Sequence, residues 1–278
     1  MVRRTGRLED AMAVITISRG SFSGGILLAE CLGKSLGYRC IDRDVLVARV
    51  AGRGVSESKL RAALDTPPRF PGAFAHSKYI YLTLMQAALA EEVCAGDAVY
   101  HGMLGHLLLQ SGMAVLRVRI IAPMEFRIRM AQERNRLSRS EAIAHIARMD
   151  EDRRRWTLYL YGVDWEDPSL YDLVINLDQI SIDRACRLIA AFIREAACEF
   201  SPEQVAALED FRLASRVRAE LALAPLTSNL EVEVEARRGD VLIKGPLYEQ
   251  VEEVRRVACA VPGVISLSCQ DVETTTAV

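Results

Sequence analysis

Gly20-Ser21-Phe22-Ser23-Gly24-Gly25 lies between a β-branched run, Ala13 to Ile17, and a stretch with helical spacing, ILLAECLGKSL. In that setting the backbone itself has a chemistry. A glycine-rich turn from a buried strand into a helix lets N–H groups converge on an anion at the positive end of the helix dipole. Gly20 and Gly25 keep the GxxxxG spacing of a Walker loop, with Arg19 just before it, but Ile26 and Leu27 stand where that motif has lysine and then serine or threonine. The cation that reaches the β/γ-phosphates and the hydroxyl that holds Mg²⁺ are missing from their expected places. Two readings follow: an anion site made by backbone, or a tight turn with no ligand. Gly33-Lys34-Ser35 has the letters of a Walker ending without the setting, since Lys34 falls roughly 12 Å further along the helix than Ile26.

The elements that must position this loop alternate in type. Short strands are expected at Tyr38 to Ile41, Asp97 to His101, Ala114 to Ala122 and Leu173 to Asn176, besides the first at Ala13 to Ile17. Helices are expected from about Asp44 to Arg53, Val55 to Leu64, Tyr79 to Ala95, Leu104 to Ser111, Met124 to Arg136, Ser140 to Tyr161 and Ile182 to Glu199, with a proline-marked loop at Pro67, Pro68 and Pro71. Strands alternating with helices predict a parallel sheet wrapped on both faces. Beyond Phe200 the composition changes. Ser201-Pro202-Glu203 is a helix-start signal, and from about Leu208 the order becomes helix, strand (Leu230 to Ala236), turn, strand (Val241 to Lys244), helix (Leu247 to Val261) and strand (Val264 to Val272). Leu230, Val232 and Val234 alternate with glutamates, as a half-exposed antiparallel strand does. The expected division is residues 12–200 and 208–275.

Half of the 278 residues are hydrophobic, enough for a sizeable core, and 35 basic residues meet 37 acidic ones. No global field therefore favours nucleic acid or an acidic membrane, and any anion site is local. Only Lys34, Lys59, Lys78 and Lys244 are lysines. Arginine suits bidentate phosphate recognition, and a GC-rich genome gives the same bias. The seven cysteines are scattered, without metal-ligand spacing, and are expected as buried thiols in a reducing cytoplasm. The apolar run after the arginine-rich start is a strand broken by Ser18 and Arg19 rather than a signal segment. Nothing approaches the roughly 18 apolar residues of a membrane span.

ITISRGSFSGG, the following LAECLGKSLGY, CIDRDVL, Val99 to Gly105, Ile121 to Arg127, Met149 to Trp156 and Ser169 to Asn176 resemble, in collinear order, the cytidylate kinase-like family. The resemblance covers about residues 13 to 195. Met103 stands where many relatives have the arginine of Gly-Arg-Gly, a second departure after the loop. The resemblance implies a P-loop, NMP-kinase-like fold that transfers the γ-phosphoryl group of ATP, with Mg²⁺, to a nucleoside monophosphate such as CMP or another small acceptor. Such transfer depends on positioning and positive charge. It places Arg153 and Arg154 in the helical lid, with Asp150 as the partner that orients them, and Arg127 and Arg129 on the helix bordering base or phosphates. Those arginines are equally compatible with a solvated helix face. Asp42 matches an aspartate near the acceptor site, or it caps the helix near Asp44. His101, at a strand end by the cleft, is a base or a structural residue.

The C-terminal pattern, with Gly239, Val241-Leu-Ile-Lys-Gly245 and Val261-Pro-Gly-Val264, resembles a BON domain, a small α-β-β-α-β module associated with phospholipid or protein contacts. It carries no catalytic cluster. One functional reading is a phosphotransferase whose arginines compensate for the missing lysine. The other is a nucleotide- or phosphate-sensing protein that kept the fold, lost turnover and signals through this module.

Overall fold

The computed structural model describes residues 13–65, 76–102, 105–109, 112–196 and 200–272. The expectations for Pro67, Pro68, Pro71, Met103 and the end of the helix at Glu199 lie outside the described residues. In chain order the elements are β1 (Val14–Arg19), α1 (Gly25–Leu36), β2 (Arg39–Ile41), α2 (Arg43–Ala51), α3 (Glu57–Asp65), α4 (His76–Cys94), β3 (Ala98–Tyr100), α5 (Gly105–Leu108), β4 (Val115–Ile121), α6 (Met124–Asn135), α7 (Arg139–Tyr161), β5 (Leu173–Asn176), α8 (Ile182–Ala196), α9 (Pro202–Leu223), β6 (Glu233–Arg237), β7 (Asp240–Gly245), α10 (Val251–Cys259) and β8 (Ser266–Asp271). The described residues group into two compact units, one from within 1–40, 96–146 and 168–205, the other from within 41–95, 147–167 and 206–278. The second unit takes in α2, α3, α4 and the second part of α7 together with the C-terminal elements.

In the first unit the strand order is β2-β3-β1-β4-β5, and β1 runs parallel to both β3 and β4, as β4 does to β5. Alternation along the strands separates two faces. Ile15, Ile17, Val99, Leu116, Val118, Ile120 and Ile175 join Leu28, Ala29 and Leu32 of α1 and Ala185, Ile189, Ala190 and Ile193 of α8 in one apolar core. The opposite face is polar although buried. Ser18 Oγ lies 3.1 Å from the Tyr171 hydroxyl, and the guanidinium of Arg119 sits 5.5 Å from the Tyr171 ring centroid. With β1 flanked by β3 on one side and β4 on the other, the chain leaves the carboxyl edge of three adjacent strands, where open α/β sheets bind ligands.

The expectation of buried thiols throughout is corrected at several cysteines. Cys31 of α1 and Cys186 of α8 form a disulfide across a sequence separation of 155. The two helices lie side by side on the same sheet face, a proximity that spacing in the chain cannot show. Cys40 and Cys259 are free and exposed, Cys94 and Cys269 are free and half-buried, and Cys198 is outside the described residues.

The second unit has its own core. Val217 and Leu221 of α9, Val234, Val241 and Ile243 of the small sheet, and Val254, Val257 and Ala258 of α10 pack together. The sheet order is β6-β7-β8, with β6 antiparallel to β7 and β7 parallel to β8. Left-handed Arg238 (φ 51) and Gly239 (φ 91) make the tight hairpin that joins β6 to β7. Ser201 and Gln204 start α9 as a reciprocal capping box: Ser201 N–H donates to Gln204 Oε1 at 2.8 Å and Gln204 N–H to Ser201 Oγ at 3.3 Å. From residue 206 onwards α9 runs antiparallel to α4. Cys94 Sγ donates to Leu208 O at 3.4 Å, Arg216 meets Glu91 at 2.5 Å, Arg218 donates to Gln86, and the Tyr79 hydroxyl both donates to Val232 O and accepts from Val232 N–H at 3.1 Å. Arg49–Glu92 (2.5 Å) ties α2 to α4, and Arg53–Glu220 (2.6 Å) ties the turn after α2 to α9.

Candidate functional site

The loop after β1 is shaped by two left-handed residues, Phe22 (φ 63) and Gly24 (φ 83). Ser23 N–H is committed to the turn, donating to Gly20 O at 3.2 Å. Gly24 is the N-cap of α1, no side chain caps the helix, and no acidic residue sits in its first turn. The positive end of a twelve-residue helix therefore faces the loop without an anion of its own. A phenylalanine in the left-handed region costs of order 1–3 kcal/mol. It is held there by packing: Phe22 contacts the cluster of Ile128, Ala131, Ala142 and Ile146 from α6 and α7, and its ring lies 5.6 Å from His145.

Two arginines brace the loop. Arg127, in the first turn of α6, donates from Nε to Ser21 O at 2.8 Å. Arg19, the last residue of β1, donates from Nη1 to His101 O, just past β3. A Cβ on Gly25 would fall on Arg19 Cδ, so glycine is what lets that side chain cross the start of α1. A Cβ on Gly20 would lie 2.9 Å from Ser23 Oγ and 3.2 Å from Arg127 Cζ, so the second glycine keeps the arginine close. Ser23 is 1 % exposed and its Oγ has no hydrogen-bond partner. A buried hydroxyl with no partner inside a glycine loop at a helix start is a donor free to meet a polar group.

Ile26 is half-buried and outside the buried core, while Leu27 is 44 % exposed. Leu27 is thus placed toward solvent, and neither side chain belongs to the sheet's core cluster. Phosphate oxygens fit this donor set of backbone, Ser23 and guanidinium. Mg²⁺ does not fit at position 27, where leucine offers no oxygen, and among the described residues no group of three or more His, Cys, Asp or Glu could hold a metal. Lys34 lies exposed in the last turn of α1, before the left-handed cap Gly37.

The remaining sequence candidates separate. Arg129 is exposed and its charge acts on Glu125, helping Arg139 hold that carboxyl below the usual range. Asp42, Asp150, Arg153 and Arg154 belong to the second unit. Asp42 is the N-cap of α2, its Oδ1 accepting from Val45 N–H at 2.9 Å. Arg153 is the arginine of its run that turns inward: its side chain is 18 % exposed, it pairs with Asp150 at 3.3 Å, and its guanidinium lies 5.0 Å from the Trp165 ring centroid. Arg154 and Arg155 share Glu151, whose carboxyl their hydrogen bonds pull down to about 2. Neither Trp165 nor His145 is among the sequence candidates, and no local motif points to either.

The residues gathered at the sheet's carboxyl edge define a phosphate-loop α/β protein whose loop is built by backbone and arginine. The sequence profile described as Cytidylate kinase-like family matches residues 14–179. A cytidylate kinase of Staphylothermus marinus is 31 % identical over 186 residues, covering 66 % of this chain and 98 % of that protein. One from Pyrobaculum aerophilum is 26 % identical over 178 residues, covering 64 % of this chain and 90 % of its own. Among solved structures, an uncharacterized protein from Eubacterium ventriosum superposes with a TM-score of 0.52 at 18 % identity, over 66 % of this chain and 98 % of that one, a likeness of fold. The chain belongs to the cytidylate kinase-like family and is, at that level, a kinase-like nucleotide-binding protein. Among the described residues no helix is long and apolar enough to cross a membrane.

Proposed function

We propose that this protein binds the phosphates of ATP at Ser21–Gly25 and transfers the γ-phosphoryl group to a nucleoside monophosphate such as CMP, with Arg19 and Arg127 supplying the positive charge that a loop lysine supplies elsewhere. The observation that carries the binding step is the orphaned Ser23 hydroxyl, buried in a loop that already holds two guanidinium groups. Similarity to cytidylate kinases supports the choice of acceptor. The family resemblance assigns Asp42 and His101 to the acceptor and Arg153, paired with Asp150, to the lid. Arg154, engaged with Glu151 at the surface, is the weaker of the two lid arginines.

Leu27 favours a second reading. With no hydroxyl at that position to hold Mg²⁺, the loop retains binding and loses turnover, and the protein senses a nucleotide or phosphate, signalling through residues 208–275. The order α9-β6-β7-α10-β8 supports regarding that segment as a BON-like contact module for a protein or lipid. Melting curves with and without nucleotide test the binding step common to both readings: ATP at about 100 times its Kd stabilises by about 2.7 kcal/mol. A curve unmoved by millimolar ATP, GTP, CMP and pyrophosphate refutes it. ADP formation that requires both ATP and a nucleoside monophosphate then selects transfer over sensing.

A further inference from the structure

Glu91 and Gln86 both project from α4 toward α9, and they leave that helix in opposite electrostatic states. Glu91 Oε1 accepts from Arg216 Nε at 2.9 Å and Nη2 at 2.5 Å, and its Oε2 lies 4.0 Å from Arg212. Two arginines are therefore answered by a carboxylate. Arg218 meets an amide instead. Its Nη2 donates to Gln86 Oε1, its Nε is buried without an acceptor, and among the described residues no carboxylate pairs with it. One turn earlier, where i and i+3 side chains are neighbours, Ser215 is 1 % exposed and its Oγ also has no partner.

Two phenols border this charge. Arg218 pulls down the pKa of Tyr79 and of Tyr161, in each case against a larger upward push from desolvation, so both hydroxyls lie within its field. Tyr79 spends its hydroxyl on Val232, while Tyr161 is 38 % exposed as a whole residue with its hydroxyl desolvated. A guanidinium fork complements two oxygens of one planar or tetrahedral anion, and a guanidinium N–H left buried without an acceptor is costly. A nearby serine hydroxyl supplies a further donor.

We propose that Arg218 and Ser215 form a binding site for a small oxyanion, of the phosphate or carboxylate class, on the seam between α4 and α9. The site is separate from the phosphate loop and independent of whether the protein is a kinase. Its test uses full-length protein with ADP at saturating concentration to occupy the loop, titrated with inorganic phosphate, acetate or chloride at matched ionic strength. The Arg218 Nε–H resonance, assigned by its loss in Arg218→Met, is expected to shift saturably with phosphate or acetate and not with chloride. Gln86→Glu supplies the missing carboxylate from within, so it should abolish that shift and raise the melting temperature of the ligand-free protein. Arg218→Met should lose the phosphate-dependent rise in melting temperature and keep any rise caused by ADP. A resonance unmoved by either oxyanion, a shift reproduced by chloride, or a full phosphate response surviving in Gln86→Glu overturns the proposal, whether or not Arg218→Met folds.

Discussion

Charge is handled differently at the phosphate loop of the first unit and at the α4–α9 seam of the second. At the loop, backbone N–H groups and a helix dipole face a place where an anion fits, and the two guanidinium groups nearby are anchored to carbonyl oxygens, Arg127 on Ser21 and Arg19 on His101. At the seam, side chains meet side chains, and Arg216 and Arg218 depend on what stands opposite them on α4. A site built from backbone survives the loss of individual side chains, so the loop keeps its shape although Ile26 and Leu27 have replaced the expected lysine and hydroxyl. A site built from side chains is altered by a single exchange, as the contrast between Glu91 and Gln86 shows.

The largest expected effect breaks the loop through its backbone. In Gly25→Val the new Cβ displaces Arg19 from its path to His101 O. ATP affinity should fall about 100-fold, equivalent to about 2.7 kcal/mol. Calorimetric titration measures it, and an affinity within threefold of wild type would show that Arg19 and the glycine are incidental.

At the seam, Glu91→Ala removes the carboxylate from Arg216 and the more distant of the two that Arg212 meets, Glu209 staying at 2.5 Å. Glu91 is half-buried, between the exposed pairs worth under about 1 kcal/mol and the buried pairs whose breakage costs about 3–5 kcal/mol. Urea denaturation should show a loss of about 2 kcal/mol with ATP affinity unchanged. A fall in affinity to match the fall in stability would erase the distinction between the two regions.

Ile26→Lys sharpens the comparison by returning a side-chain cation to the loop. Because Ile26 is half-buried and lies outside the core cluster, its stability should change by under about 1 kcal/mol, in contrast to the several kcal/mol of a charge forced into a core. ATP affinity should rise about tenfold, or about 1.4 kcal/mol. Monophosphate-dependent turnover, if present, should rise with it. Destabilisation by several kcal/mol without tighter ATP binding would mean the position belongs to the packing after all.

The smallest effect is on the alkaline side. Desolvation pushes Tyr38, Cys94 and Tyr161 up to about 12. The unfolded chain loses these protons near 9 to 10. Folded protein therefore binds more protons than unfolded protein between about pH 9 and 12, and stability, fully present below that window, declines through it. Tyr161→Phe should flatten the decline in urea midpoints, and an identical pH profile would show that this hydroxyl is not desolvated.

The strands and helices were largely legible because each carries its own local pattern, down to the Ser201 start signal of α9. Some elements begin late: the strand expected from Leu230 starts at Glu233, and the helix expected from Leu247 starts at Val251. Gly245 (φ 155) turns the chain, and Leu247 N–H is held by Asp271 Oδ1 at 3.0 Å, leaving Tyr248–Gln250 as a single 3-10 turn. At the candidate site the loop, Arg19 and Arg127 were readable from motif and order. What was not readable is contact between distant residues. Arg216 and Glu91 are 125 residues apart and Arg218 and Gln86 are 132 apart, so no window of sequence contains either pair. Phe22 gave no sign that it would take a left-handed conformation, because its anchors lie on α6 and α7.

The disulfide between α1 and α8 closes a ring of chain around β2 through β5. One cut by a protease anywhere between Cys31 and Cys186 therefore opens the ring without releasing a piece. The nicked protein migrates on a non-reducing gel near the mass of the whole chain and separates into two bands only when a reductant is added. Proteolytic mapping done without reductant would pass over every such cut.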